Sequence, residues 1–511
     1  MFRVFNLKKI AIPAAVLLIT FLLLFTAYMA FMKRDAASWY DEKFERIAGR
    51  CPVYDMNVSF NSKEKTVNAV MKVKYTNNSN KNLEEVYFYL YPNAFKDENR
   101  LPFLEDEIPK VYPNGFDPGY IEVNYVKTPE EGRDLEFHIE DIYMKVIMPQ
   151  SLKPGRKISL EVSFSVKLPN SLGRFGYGQK TYNVCNWYPI LAVYDDDGWN
   201  LNPYYAIGDP FYSEIALYDV VIEVPKDLVI ASTGTQVEIK EKDGGTREWH
   251  IKTGLVRDFA WVASTEFQIH QKEVDGTNIY SYYFDEEASR KALEAAAEAV
   301  RFFNSYFGKY PYDTFSVVAA DFYIGGMEYP NLVLIDKTLY GGSFLEYIVV
   351  HETAHQWWYG LVGSNQIKEA WLDEGLTEYS TIMYYEHRYG KARGARMYND
   401  FVKNRYRFYE LTNPKDFRVL RPLHEFRDWR DYDALVYARG AMVFGELREQ
   451  AGDKTFQRVM RQYFREYIYE NSTTEAFIRL WEKETENFDK AFFNKMLNLP
   501  PEGQNIQIPA A

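Results

Sequence analysis

The 511-residue chain is poor in cysteine, with two, and poor in histidine, with seven. Two cysteines exclude a disulfide-stapled scaffold, and a chain of this length buries enough apolar surface to fold without staples or structural metals. Positive charge is also short. The formal net charge is −12, and no long basic run carries interleaved aromatics, so nucleic acid is not expected as a partner. Repeats of fixed period and low-complexity tracts are absent, and no long apolar run occurs after Asp35. What is present is 47% hydrophobic and 17% aromatic sequence, enough for a large globular body with a prior of about three units.

The one long apolar run stands at the start. Ile10 to Phe31 are uncharged and mostly apolar, and as a helix they would span roughly 33 Å, enough for the hydrocarbon layer. Arg3, Lys8 and Lys9 precede the run, and Lys33 and Arg34 follow it. The leading charges favour a cytoplasmic N-terminus and an exported body, whereas the trailing pair counts against that. No small-residue cleavage site ends the run, which exceeds the usual signal-peptide core. The expectation is a single-pass signal-anchor at the cell membrane, with the catalytic body extracytoplasmic. In that compartment Cys51 and Cys185 could pair, but two buried thiols fit the sequence equally well.

The body has two unlike halves. From about Cys51 to Ala263, short β-rich runs such as Val67–Tyr75, Ile158–Val166 and Tyr218–Val224 are separated by turn signals, which fits a half-buried antiparallel sheet assembly. After Tyr283 the periodicity becomes helical, with helices expected at 286–307, 344–359, 370–389, 441–450, 456–469 and 474–484 and a strand at 315–319. The expected organisation is α+β and multidomain. It comprises a stub and anchor at 1–34, a linker at 35–50, a β-rich domain at 51–268, a mainly helical domain with a small sheet at 269–498, and a tail at 499–511.

The chemistry gathers in the second half. His351-Glu352-Thr353-Ala354-His355 places two imidazoles four residues apart, on one face of a helix. They can converge on one Zn²⁺ at about 2.0–2.1 Å each, with Glu352 leaning over the metal to take a proton from water. Ser343-Phe344-Leu345-Glu346 reads as a capping box for that helix, and Gly360 marks its stop. A catalytic zinc commonly keeps three protein ligands and one open position, so one ligand is left to find. Glu374, in Trp371-Leu372-Asp373-Glu374-Gly375, lies 19 positions beyond His355.

Together these motifs resemble the gluzincin zinc aminopeptidases of the aminopeptidase N-like family. The resemblance implies that Glu374 completes the metal site with His351 and His355, around one Zn²⁺ per chain. Asp373 and Glu378 could orient the histidine N–H groups, although exposure to solvent is the ordinary state of such helix carboxylates. Gly325-Gly326-Met327-Glu328-Tyr329-Pro330 resembles the family's Gly-x-Met-Glu-Asn exopeptidase signature, with Tyr329 in place of Asn. It implies that Gly326, Met327, Glu328 and Tyr329 line the substrate and that Glu328 binds the free α-amino group. Tyr437-Ala438-Arg439-Gly440-Ala441 resembles the family's Tyr-x-Lys-Gly-Ala segment, implying Tyr437 as the oxyanion donor, with Tyr432 its nearby competitor. Trp187-Tyr188-Pro189 and Gly208-Asp209-Pro210-Phe211 look like the end of the family's N-terminal β domain, and Thr473 to Phe477 like its closing helices.

By this resemblance the helical half is a thermolysin-like catalytic domain, in a short form lacking the large C-terminal helical domain of longer relatives. That absence implies a more open cleft or closure by a partner. The expected activity is hydrolysis of the N-terminal peptide bond of peptides, with Glu352 and Tyr437 catalytic. Two alternatives stand beside it: a zinc endopeptidase of related fold, motivated by Tyr329 and the absent roof, and a non-catalytic relative that binds peptides.

Overall fold

The computed structural model describes residues 39–412, 416–485 and 491–498. The expected anchor at 10–31 and the tail at 499–511 lie outside the described residues. Among the described residues no helix is long and apolar enough to cross a membrane. The chain divides into two units, Met1–Arg50 and Cys51–Ala511. In the first, residues 39–48 form a helix within the stretch expected to be a linker.

The second unit opens with an eight-stranded sheet. Its order is Thr235–Lys242, Thr246–Lys252, Leu217–Pro225, Val53–Asn61, Thr66–Thr76, Lys157–Lys167, Tyr120–Thr128 and Arg133–Asp134. Strict alternation builds it: in Val53–Asn61, Tyr54, Met56, Val58 and Phe60 face the core while the residues between them face out. Each such buried side chain contributes about 1.5–3 kcal/mol. One expectation is corrected, because Val53–Asn61 runs parallel to Leu217–Pro225. Hairpins force antiparallel pairing only between strands joined by tight turns, and these two are separated by most of the β domain. Two four-stranded sheets close over the core, where Trp187, Tyr188 and Trp261 are fully buried. Cys51 and Cys185 are separate buried thiols.

A five-stranded sheet begins the helical half, in the order Gln268–Val274, Thr277–Tyr283, Thr314–Ala320, Leu332–Asp336 and Gly326–Met327. Its three inner strands run parallel. Thr314–Ala320 is buried along its whole length, which explains its near-continuous apolar sequence. Gly326–Met327 forms the outer edge, antiparallel to Leu332–Asp336. The helix Glu286–Tyr306 starts where the Asp285 side chain accepts the Ala288 N–H, and it buries an alanine face ending in Phe303. The helices Leu345–Ala354, Trp371–Tyr389, Gly440–Ala451, Asp453–Tyr467 and Thr474–Glu484 complete the helical layer.

Candidate active site

The helix carrying His351 and His355 is shorter than its sequence pattern suggests, running from Leu345 to Ala354. The expected capping box does not form: Phe344 occupies the N-cap position and no side chain caps it. At the other end the chain widens into turns in which Gly360, Leu361 and Val362 donate to the carbonyls of His355, Gln356 and Trp357. Tyr359 sits there at φ 134°, and its carbonyl is held by Arg257 Nε of the β domain at 2.6 Å. The reversal leaves His355 at the helix end, its ring edge-on to that of His351 one turn earlier, with centroids 4.9 Å apart.

Glu374 enters from the first turn of Trp371–Tyr389. Its Oε2 lies 3.4 Å from His351 Nε2 and 3.2 Å from His355 Nε2, and the two Nε2 atoms are 3.2 Å apart. The three atoms thus form a near-equilateral triangle. Tetrahedral ligands at about 2.0–2.1 Å from a zinc ion lie about 3.3–3.4 Å from one another. The donor set and its spacing therefore fit a zinc ion with no rearrangement.

Behind these ligands stand two carboxylates that are buried, not exposed to solvent as expected. Asp373 Oδ1 lies 2.7 Å from His355 Nδ1, and its other oxygen accepts from Gln366. Glu378 Oε2 lies 3.2 Å from His351 Nδ1, and Tyr347 donates to its Oε1. Each imidazole therefore has a carboxylate near its Nδ1 and its Nε2 turned toward the triangle, the orientation a metal requires. Burial opposes charging of His351, but its bonds to Glu374 and Glu378 lift it to about 9. Glu374 is held well below the usual carboxylate range, because the two imidazoles outweigh its burial. The surrounding carboxylates thus favour positive charge at the two imidazoles.

Glu352 faces the same space, 4% exposed. Burial pushes its carboxyl up to about 7, against the pull of His351 and His355. The edge strand lies directly over it, since a Cβ on Gly326 would overlap the Glu352 carboxylate. Strand periodicity then sorts the signature residues. Gly326 and Glu328 turn toward the site. Met327 and Tyr329 turn the other way, into a buried cluster with Cys185, Phe322 and Leu334, and Tyr329 donates to Asn186 Oδ1 at 2.6 Å. The expectation that the Met327 and Tyr329 side chains line the substrate is corrected accordingly.

Three carboxylate oxygens in this pocket, Glu328 Oε1, Glu352 Oε2 and Glu374 Oε2, are buried without a hydrogen-bond partner. An orphaned buried group costs about 1–3 kcal/mol, and more when charged. Such a concentration marks a place shaped for a ligand. Burial, Asp209 and Glu352 raise the Glu328 carboxyl well above its ordinary value, with His355 opposing.

Tyr437 lies in a wide helical turn, Asp433–Arg439, a geometry often found at functional sites. Its hydroxyl donates to Glu374 Oε1 at 2.6 Å, and its ring stacks 5.8 Å from His351. Tyr432 is buried one ring behind it, 5.7 Å from Tyr437. One residue was not foreseen. Asp209 brings a carboxylate oxygen within 4.8 Å of oxygens of both Glu328 and Glu374, and Arg174 Nη1 holds its Oδ1 at 2.8 Å. Local spacing could not connect residue 209 to residues 328 and 374; only the packing of the two halves does.

Fold and site together bring two helix histidines, a glutamate from the next long helix and a carboxylate poised over them around one space that fits a zinc ion. Residues 291–496 match the Peptidase family M1 domain. The chain is 23% identical over 372 residues to endoplasmic reticulum aminopeptidase 2 of Homo sapiens, covering 68% of this chain and 38% of that protein. It is 26% identical over 288 residues to aminopeptidase M1-B of Oryza sativa subsp. japonica, covering 53% and 33% respectively. It therefore spans between a third and two fifths of the length of these relatives. The M1 zinc metallopeptidase from Deinococcus radiodurans shares the fold at a TM-score of 0.61 and 17% identity, over 88% of this chain and 96% of that one. A variant of that enzyme bound to a Tyr-Ser-Ala substrate matches equally, at 0.61 and 16% identity.

Proposed function

We propose that this protein is a zinc-dependent aminopeptidase that releases the N-terminal residue of peptides, with one Zn²⁺ per chain. The reading is carried by the triangle of His351 Nε2, His355 Nε2 and Glu374 Oε2, whose 3.2–3.4 Å edges match a tetrahedral zinc site. Relatives named as aminopeptidases, and a neighbour of the same fold bound to a tripeptide, support it. A zinc ion held there supplies Lewis-acid chemistry, polarising water and the scissile carbonyl. Glu352 takes the proton of the attacking water and returns it to the leaving amine. Tyr437 exchanges its bond to Glu374 for one to the developing oxyanion. Glu328, unpartnered and buried, pairs with the substrate's ammonium. Substrates lacking that charge leave the carboxylate unmet and bind poorly.

We further propose, from the apolar run 10–31, that the protein is anchored at the cell membrane with its catalytic body extracytoplasmic. A carbonate-extraction and protease-protection assay on cells tests this. For the activity, zinc content is measured, then hydrolysis of amino-acid fluorogenic amides and of their N-acetyl forms, with and without a chelator. Chelator-sensitive cleavage of the free-amine amides alone is expected. Equal cleavage of the acetylated forms points to an endopeptidase, and zinc without any hydrolysis points to a binding protein. In Glu328→Ala the discrimination against acetylated substrates should vanish.

A further inference from the structure

We propose that Gln356 is a positioning residue that fixes Glu328 relative to the zinc ligands, and so ties the substrate's ammonium contact to the metal. This role deepens the aminopeptidase reading and rests on it. Gln356 directly follows His355 and is 1% exposed. Its amide reaches across to the stretch that carries Glu328. Gln356 Nε2 donates to the Tyr329 carbonyl at 3.2 Å and lies 3.5 Å from the Glu328 carbonyl. Its Oε1 accepts the Asn331 N–H at 2.8 Å. These partners decide which way the amide faces, because a carbonyl only accepts and a backbone N–H only donates. One side chain thus ties residues 328, 329 and 331 to the neighbour of a zinc ligand.

Glu328 needs such a tie. The edge strand pairs at Gly326 with Ile335 and at Met327 with Leu334, so Glu328 stands past the last ladder pair. Pro330, two residues on, has no N–H with which to extend the ladder. The chain turns back instead: the Leu332 N–H donates to the Tyr329 carbonyl at 3.0 Å, with Asn331 at φ 60°. The amide of Gln356 is itself held from behind. Asn331 Nδ2 donates to the Tyr310 hydroxyl at 2.7 Å, and that hydroxyl lies 3.4 Å from Gln356 Oε1. Asn331 Oδ1 accepts the Gly234 N–H at 3.2 Å. Glu328 Oε1, buried without a hydrogen-bond partner, is therefore carried on a backbone whose position is set from the zinc-ligand segment. Without the amide, the Glu328 carbonyl loses its link to that segment, and the carboxylate no longer stands at one distance from the metal.

Gln356→Met keeps the length of the side chain but removes both its donor and its acceptor. Binding of leucinamide to zinc-loaded protein is read by calorimetry, with Glu352→Gln in parent and variant alike so that hydrolysis does not interfere. Gln356→Met should weaken leucinamide by about tenfold or more, as the charge-assisted contact lengthens. Zinc affinity, measured against a buffering chelator, should stay at the parent's level, because His351, His355 and Glu374 keep their own partners. In the active enzyme KM for leucine amides should rise about tenfold while kcat falls less, since the ammonium contact is made in ground and transition states alike. A merely loosened fold does the reverse, lowering kcat through the active fraction and leaving KM unchanged. Asn331→Gly is the comparison. It suits the left-handed turn and keeps the N–H that Gln356 accepts, but it loses the bonds to Tyr310 and Gly234, so leucinamide affinity should stay near the parent's. Undiminished leucinamide binding in Gln356→Met overturns the proposal, as does equal weakening in Asn331→Gly. Either result, beside a parent that prefers leucinamide to its N-acetyl form, leaves the aminopeptidase reading standing. A parent that binds the two forms alike refutes that reading, and this role with it.

Discussion

Gly375 and Gly440 touch backbone to backbone where the helix bearing Glu374 crosses the helix that follows Tyr437. A Cβ on Gly375 would stand 2.8 Å from both Cα and the carbonyl carbon of Gly440, and 3.1 Å from the Val436 oxygen. A Cβ on Gly440 would stand 3.0 Å from Gly375 Cα. Both glycines follow site residues in the sequence, and the crossing sets the distance from Tyr437 to Glu374. Their lack of a side chain is thus part of how the hydroxyl reaches its acceptor at 2.6 Å.

Gly375→Ala should therefore act twice. Forcing a methyl group into this crossing costs about 1–3 kcal/mol, seen as a lowered melting temperature. Separating the helices also withdraws Tyr437, and misplacement on the order of 1 Å costs about a hundredfold in kcat. Glu374, the third ligand, is the residue before Gly375, so zinc affinity should weaken as well, while His351 and His355 on their own helix still hold the ion. Wild-type kcat in a stable variant would show that the crossing does not position the tyrosine.

Glu352→Gln preserves shape beneath Gly326 but removes the group that moves the proton. Zinc content should remain at the wild-type level while kcat drops by about a thousandfold. Metal analysis beside steady-state kinetics checks both halves. Turnover near that of the wild type would take the proton-transfer role from this residue.

Asp373→Asn addresses the histidine from behind. The 2.7 Å contact to His355 Nδ1 holds the ring and raises its basicity, and such partners are typically worth about 10–100-fold in metal affinity. Competition against a zinc-buffering chelator should show a loss in that range. Unaltered affinity would mean that the Trp358 carbonyl, 3.1 Å from the same nitrogen, suffices to orient the ring.

Local periodicity made much of this site legible. His351 and His355 share a face because helical spacing demands it, and Gly326 and Glu328 share one because strand spacing does. That same alternation, applied to Met327 and Tyr329, turns them into the core. The burial of Asp373 and Glu378 was hidden because the imidazoles that hold them lie on a different helix. The early end of the first motif helix was hidden too, since Arg257, distant in sequence, holds the Tyr359 carbonyl that makes the reversal. Asp209 belongs with these: its partners Arg174, Glu328 and Glu374 are assembled only by tertiary packing. The parallel pairing of Val53–Asn61 with Leu217–Pro225 likewise depends on chain routing rather than on any strand's own pattern.

Glu369 gives a prediction in pH. It ends the short helix Gln366–Glu369 that leads into the zinc-ligand helix, and its Oε2 accepts the Thr474 N–H at 2.6 Å. Burial pushes its carboxyl from 4.5 up to about 7, with the bonds from Thr474 opposing. The folded chain therefore holds this proton more tightly than the unfolded chain between those values, and stability from this group is full below about pH 4.5 and is lost as pH rises through 7. Integrated over that interval the effect is on the order of 3 kcal/mol at most. Glu369→Gln retains an acceptor for Thr474 but cannot titrate. Urea unfolding at a series of pH values should give a difference, wild type minus variant, that declines from pH 4.5 to 7 and is flat above. Other carboxylates shape both curves alike, so the difference isolates this residue. Parallel curves across the interval would mean that Glu369 stays ionised in its buried position, with the Thr474–Glu484 helix terminus sufficient to hold the charge.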